Sequence, residues 1–319
     1  MLEKLDDIDW KQFSCPRGSA EAIPELLRAL ADTPELSLQA KLERTLHDAL
    51  ATAHAPTISF LYELIDAEQT QNKSGLIRLV VKLSILGELP RATMRLRSWD
   101  VAEAKACYQA AADGEAVLLR AASSEREDVR SHAIWALAFF AAGLQDETVA
   151  HIADIAQKAG HFSRACAVLA LGIIDFQKNT NTHLPLLQAL FDSDTGGNGL
   201  VKTATAISIL VSASFTTSKR KQKLESGEAM LSFLLDKALP FFAGQQQDEN
   251  YLPFYAGRMD RYITAVLALA DPDKILSMLP ALAASLSSLS EKAQKHMIEA
   301  MFMLIDKAHP KLKTRDFNA

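Results

Sequence analysis

Apolar positions recur along this chain in blocks of about a dozen residues, each opened by a basic side chain at its second place. "VRSHAIWALAFFA" from Val129 lies over "SRACAVLALGIID" from Ser163, "VKTATAISILVSA" from Val201 and "IRLVVKLSILGEL" from Ile77. "ERTLHDALATA" from Glu43 is a weaker copy, and "DRYITAVLALA" from Asp260 fits when shifted by one. Small or apolar residues fill nearly every later place. Ala and Leu dominate them, and both favour helix. A helix that is apolar almost all round has to be covered on several sides, which an isolated amphipathic helix never is.

The basic residues that open the blocks are Arg44, Arg78, Arg130, Arg164 and Lys202, spaced 34, 52, 34 and 38 apart. Periods in the thirties to forties mark helical-hairpin repeats, and the spacing of 52 predicts an insertion. Between the blocks a second string is built around proline: "IPELLRALAD" with Pro24, "APTISFLYELID" with Pro56, "HLPLLQALFD" with Pro185, "ALPFFAGQ" with Pro240 and "MLPALAASLSS" with Pro280. Proline is tolerated in a first helical turn, where its missing N–H would have no partner, so each is expected near a helix start. The unit is thus a helix A with its proline, a turn, and a helix B opened by a basic residue.

Stacking such hairpins buries what one alone leaves exposed. About seven are expected, including a less regular one near residues 101–122. Together they predict an all-α fold, a right-handed α-α superhelix with a convex A layer and a concave B layer. Residues 1–319 then form one solenoid, with 1–18 as an N-terminal cap and 89–100 and 244–257 as loop insertions.

Composition agrees with helices, since 49% of residues are hydrophobic but only 7% aromatic. The net charge of −5 gives no strong pull toward nucleic acid or an anionic membrane. Cys15, Cys107 and Cys166 are odd in number, widely spaced and set among apolar residues, as expected of reduced thiols in a cytoplasmic protein. "MLEKLDDIDW" is acidic and lacks the apolar segment of a signal peptide. No uninterrupted apolar run reaches about 18 residues, so no membrane span is expected.

Asp128, Val129, Arg130, Ala133, Ala136 and Leu137 together resemble the HEAT repeat, in the variant also found in phycobilisome-lyase-like repeats. Trp10, Gly18, Ser19, Ala20, Ile23, Pro24, Leu26, Leu27, Ala29 and Leu30, followed by "HAPTISFLYELI" from His54, are similar to the N-terminal part of bacterial HEAT-repeat proteins. The repeat resemblance covers most of the chain and the bacterial one about the first two hairpins. Some solenoids of this kind serve as immunity proteins beside secreted toxins, so the resemblance implies a protein partner, a cognate toxin among the candidates.

Candidate chemistry is sparse. Arg44, Arg78, Arg130, Arg164 and Lys202 occur once per hairpin, as a structural ladder requires, so each is expected to bond an Asp or a carbonyl of the next hairpin rather than to grip phosphate or carboxylate. "DTGGNGLVKT", residues 194–203, fails as a phosphate loop: Val201 stands where glycine is needed before Lys202, and a helix, not a strand, precedes it. None of the eight histidines is followed by Glu, and no pair has the one-turn spacing of two metal ligands. No metal site, no cofactor and no catalytic set is expected.

Two stretches break the repeat. "PRATMRLRSWD", residues 90–100, carries Arg91, Arg95, Arg97 and Trp99. Residues 71–99 hold six basic and one acidic side chain, against six basic and thirteen acidic in residues 1–70. The stretch is either a solvated linker or a patch that binds an anionic partner. "NYLPFYAGRMDRY", residues 250–262, gathers Tyr251, Phe254, Tyr255 and Arg258 with Tyr262 and Arg261 in a chain poor in aromatics. Tyr and Arg are favoured interface anchors, while rings in a loop also serve to cover the end of a core, and the stretch fits both readings.

The expected function is a non-enzymatic scaffold that binds another protein on the concave face. The competing class is a nucleic-acid enzyme resembling the HEAT-like alkylpurine glycosylases, which needs a continuous basic groove with aromatic side chains near an acid. Trp99, Trp135 and the arginines suit that class; the charge balance argues against nucleic acid.

Overall fold

The computed structural model describes residues 2–15, 18–33, 36–46, 52–84, 102–193, 199–213, 224–245, 251–268 and 272–308. The fold is all-α, as the repeat predicts; among the described residues the only strands are Ser14–Cys15 (β1) and Gly18–Ser19 (β2), an antiparallel pair with Ser14 opposite Ser19. The chain divides into two compact units, Met1–Ile152 and Ala153–Ala319.

The first unit opens with short 3-10 turns at Glu3–Asp7 and Trp10–Gln12. Trp10 is buried, donates its Nε1–H to the Leu5 carbonyl at 3.0 Å, and sets its ring 6.3 Å from Phe60. The helices that follow are α1 (Ile23–Asp32), α2 (Leu36–Leu46), α3 (His54–Asp66), α4 (Lys73–Ser84), α5 (Ala102–Ala112), α6 (Glu115–Ala122), α7 (Glu127–Phe139) and α8 (Asp146–Lys158), whose end lies in the second unit. Three hairpins, α1/α2, α3/α4 and α6/α7, stack so that α1, α3 and α6 form one layer and α2, α4 and α7 the other. Residues 101–122 are therefore not a hairpin: α5 packs against both α3 and α4, and α6 pairs forward with α7. An extra helix is what stretches the repeat between Arg78 and Arg130.

Gly114 N-caps α6 because no side chain fits there; a Cβ would run into the Tyr62 ring, whose hydroxyl donates to the Ala111 carbonyl at 2.6 Å. α7 buries almost every residue from Val129 to Phe139, which leaves polar groups to be satisfied inside. His132 is the extreme case. Its Nδ1 donates to the Asp128 carbonyl at 2.8 Å, while Nε2 is buried with no hydrogen-bond partner. Burial, aided by the Arg78 charge, outweighs the pull of Asp128 and pushes the imidazole down to about 4.

In the second unit the helices are α9 (His161–Lys178), α10 (Leu184–Ser193), α11 (Gly199–Ala213), α12 (Leu224–Phe233), α13 (Leu239–Phe242), α14 (Met259–Leu267), α15 (Pro272–Ser285) and α16 (Glu291–Ala308). α9, α11, α14 and α16 pack in succession, with α10, the α12–α13 helix and α15 as their partners. The second unit thus holds the hairpins α10/α11, α12–α13/α14 and α15/α16, six among the described residues with the three of the first unit.

The prolines divide into two groups. Pro24, Pro56 and Pro185 lie in the first turns of α1, α3 and α10, as expected. Pro240 lies in the first turn of α13, but that helix continues α12 through a π-turn at Leu234–Ala238. Proline removes an amide and crowds the carbonyl four residues back, here Asp236, which the wider π-turn accommodates. Pro280 lies inside α15, whose first turn holds Pro272 instead; its ring faces solvent, where the freed carbonyl stays hydrated.

Closest packing occurs between α9 and α11. At Gly172 a Cβ would stand 2.7 Å from both Cα and Cβ of Ser208, so only glycine lets the helices approach this far. The Ser208 hydroxyl lies 2.9 Å from the Val168 carbonyl and 2.8 Å from that of Ala204. Asp175, near the end of α9, is buried and satisfied from four directions: the His183 backbone N–H at 3.0 Å, its Nδ1 at 2.8 Å, Thr180 Oγ1 at 3.1 Å and Ser212 Oγ at 3.2 Å. Burial pushes its carboxyl up, but the bonds from His183 and Thr180 prevail and hold it below the usual range.

Two outcomes are expected. Gly172→Val should destabilise the fold by about 3 kcal/mol in urea unfolding, the upper end for overpacking, whereas Gly143→Ala, with nothing near its Cβ, should change it by less than about 0.5 kcal/mol. For His132, the unfolded imidazole titrates near 6.5 and the folded one near 4, so the unfolded chain binds the extra proton and stability falls as pH drops through that window. Between pH 7 and pH 4 the wild type should lose about 3 kcal/mol more than His132→Gln; equal losses would show that His132 does not titrate this way.

Candidate functional site

Arg91, Arg95, Arg97 and Trp99 lie outside the described residues, as do the basic run at 218–223 and residues 194–198 of the glycine-rich stretch. The second stretch is described from Tyr251 onward, and it is tied down at several points.

Tyr251 stacks on Phe162 with ring centroids 5.3 Å apart, and Phe162 in turn meets His161 at 4.3 Å. The Tyr251 carbonyl accepts a bond from Cys166 Sγ at 3.5 Å. This ring pair therefore rests on the start of α9, some 85 residues earlier in the chain. Leu252 and Phe254 turn inward and are buried. Phe254 lies beside Tyr262 at 6.2 Å, and Tyr255 stacks on that fully buried ring at 4.4 Å. Of the four residues singled out here by sequence, Phe254 belongs to the core, while Tyr251, Tyr255 and Arg258 are half-buried.

The backbone between them is unusual. Tyr255, Ala256 and Gly257 all have positive φ, at 51°, 51° and 72°. The left-handed region costs a side-chain-bearing residue roughly 1–2 kcal/mol, so Tyr255 and Ala256 together store about 2–4 kcal/mol. Burial of Phe254 and Tyr262 offsets this, and so does the next residue. Arg258 N-caps α14 and forks onto Asp260, Nε to Oδ1 at 2.9 Å and Nη2 to Oδ2 at 2.6 Å. Its Nη2 also lies 3.2 Å from His296 Nδ1 on α16. Arg258 is 20% exposed and Asp260 only 7%, which makes the pair a pin rather than a surface contact. Arg261, His161 and Ala256 remain exposed around these fixed groups.

The five ladder residues differ in what they touch. Arg44 Nε donates to the Ala40 carbonyl of its own helix at 3.2 Å. Arg130 reaches the Ser124 carbonyl at 2.9 Å and Glu127 at 3.0 Å, both in its own hairpin. Arg164 donates to the Ala156 carbonyl at 3.0 Å, closing the turn from α8 into α9. Lys202 stands 4.7 Å over the Phe191 ring of α10 and 5.9 Å from Phe233 of α12. Arg78 adds its charge beside His132 on α7.

Bonds between successive hairpins of the first unit fall largely on residues that sequence reasoning missed. Ser74 on α4 donates to Asp128 on α7 at 2.8 Å, and Asp128 also holds Arg126 at 2.9 Å. Asn72 donates to Gln39, Lys82 pairs with Glu43, and Arg120 forks onto Asp66 at 2.9 Å twice. Each pair is separated by 33 to 54 residues, and nothing local marks its members.

Among the described residues no three His, Cys, Asp or Glu side chains converge on a possible metal position. Cys107 and Cys166 are buried, and burial pushes the Cys107 thiol up to about 11, far from a reactive thiolate. No helix among the described residues is long and apolar enough to cross a membrane. What the 251–262 stretch offers is rings and guanidinium groups held in place.

No protein-family model matches this chain, and no curated protein matches it. Among solved structures it is similar to a designed armadillo repeat protein, "YIII(Dq)4CqI", at 15% identity over 77% of this chain and 99% of that chain, with a TM-score of 0.34.

Arg258→Ala would leave Asp260 buried and unpaired, at a cost of about 2–3 kcal/mol. Arg258→Lys should recover less than half of that loss, because an ammonium does not reproduce the fork. Thermal unfolding of the three proteins measures both.

Proposed function

We propose that this chain is a non-enzymatic scaffold that binds another protein. The observation that carries the reading is the stack of His161, Phe162 and Tyr251, fixed from beneath by Cys166 yet partly open to solvent. Half-exposed rings that are already ordered lose little conformational entropy on binding, and so make efficient anchors. Arg261 and the rest of the pinned loop supply polar contacts around them. In its finer form the scaffold is an immunity protein: it captures a bacterial toxin domain and occludes it sterically with a largely preformed surface. That form rests on the likeness of the N-terminal segment to bacterial HEAT-repeat proteins. The basic stretch with Arg91, Arg95, Arg97 and Trp99 is a second anchor in the same reading.

The reading is tested by affinity capture from the native host, followed by titration of the recovered partner. Tyr251→Ala with His161→Ala should weaken binding at least tenfold, the size expected of an anchor, with a melting temperature close to wild type. Arg97→Ala with Trp99→Ala should weaken it as well. Unchanged affinity in both double variants would overturn the proposal, as would recovery of salt-released nucleic acid in place of a protein.

A further inference from the structure

The hairpin α15/α16 presents an apolar outer face that the protein-binding reading does not use. On α16, Ile298 is 42% exposed, Phe302 51% and Met303 53%. Ile298 and Phe302 are one turn apart and share a stripe with Lys295 on one side and Ile305 and Asp306 on the other. Beside it, among the described side chains, α15 exposes Ser277, Pro280, Ala281 and Ala284, all of them small.

We infer that this face pairs with the same face of a second copy, the two α16 helices running antiparallel about a two-fold axis near Ala300. The charge order selects that occupant. Antiparallel pairing that sets Ile298 against Phe302 of the other copy brings Lys295 within one residue of the position opposite Asp306, near enough for the two charged ends to meet, and the symmetry repeats both pairs. Two opposite-charge pairs thus flank two apolar pairs, and a parallel arrangement would instead place Lys295 on Lys295 and Asp306 on Asp306. The small residues of α15 leave room for the rim of the partner's α16. An 18-residue helix is about 27 Å long, and two helices side by side span about 20 Å, so each copy offers about 500 Å². A total of about 1,000 Å² is the lower limit for a specific interface, and the dimer is accordingly weak, with Kd on the order of micromolar.

Sedimentation equilibrium of the purified chain from about 1 to 200 µM reads this directly. The wild type should shift from monomer to dimer across that range. Phe302→Asp should stay monomeric, with an unchanged helical circular dichroism spectrum and melting temperature because the ring is exposed. Lys295→Glu should weaken the dimer at least tenfold, and Lys295→Glu combined with Asp306→Lys should restore it. A wild type that is monomeric at 200 µM would overturn the inference, since the face would then be solvated or covered by something other than a second copy. A dimer that survives Phe302→Asp, or a charge swap that fails to rescue, would overturn it equally.

Discussion

α9 buries every residue from Ala165 to Ile174, so no face of that segment meets water, and the same holds for most of α7. Such a helix has only its neighbours for solvent. Covering it needs helices on several sides at short range, and short range needs small residues where backbones meet. Gly172 against Ser208 and Gly114 under Tyr62 are the places where that demand becomes a single-residue constraint. The hairpin stack is the arrangement that meets the demand repeatedly, because each new pair covers the one before it.

Full coverage has an electrostatic consequence. Polar groups that the helices carry into the interior have to find partners there, and each unit solves this differently. In the second, Asp175 collects four donors and thereby fixes the turn into α10. Ser208 and Thr205 donate to carbonyls of buried helices, as a hydroxyl can without a water. In the first, His132 satisfies one nitrogen and leaves the other bare, which is tolerable only while the ring stays neutral. Two buried titratable side chains thus respond oppositely: a well-bonded carboxylate is held ionised, and an under-bonded imidazole is held neutral.

Much of this was legible in the order of residues. Repeated apolar blocks announced helices B, and Pro24, Pro56 and Pro185 marked the starts of helices A, because both signals act within one helical turn. The same logic misplaced Pro280, since a proline mid-helix is compatible with a solvent-facing carbonyl, which leaves no local trace, and it did not foresee the π-turn that runs α12 into α13 ahead of Pro240. It also made residues 101–122 a hairpin, although α5 and α6 choose different partners. The rungs were hardest. Arg130 bonds Ser124 and Glu127 of its own hairpin, whereas Ser74 and Asp128 meet across 54 residues with nothing in either segment to announce the other. In the 251–262 stretch, composition flagged the rings and arginine together but could not divide them. Only burial separates Phe254, which fills the core, from Tyr251, which stays half open.

That division bears on where binding resides. A packing contact and a binding contact draw on the same residue types, so aromatic content alone does not tell them apart. What distinguishes them is whether the fold still needs the exposed part of the side chain. Phe254 and Tyr262 are consumed by the loop, whose left-handed turn at Tyr255–Gly257 depends on their burial. Tyr251 and His161 keep surface to spare after the fold is satisfied, and so do Ile298 and Phe302 on α16. Removing that spare surface leaves the core contacts intact, whereas removing Phe254 would release the strain it restrains. In the proposed reading, recognition is carried by groups whose positions the repeat fixes but whose outer faces it does not use.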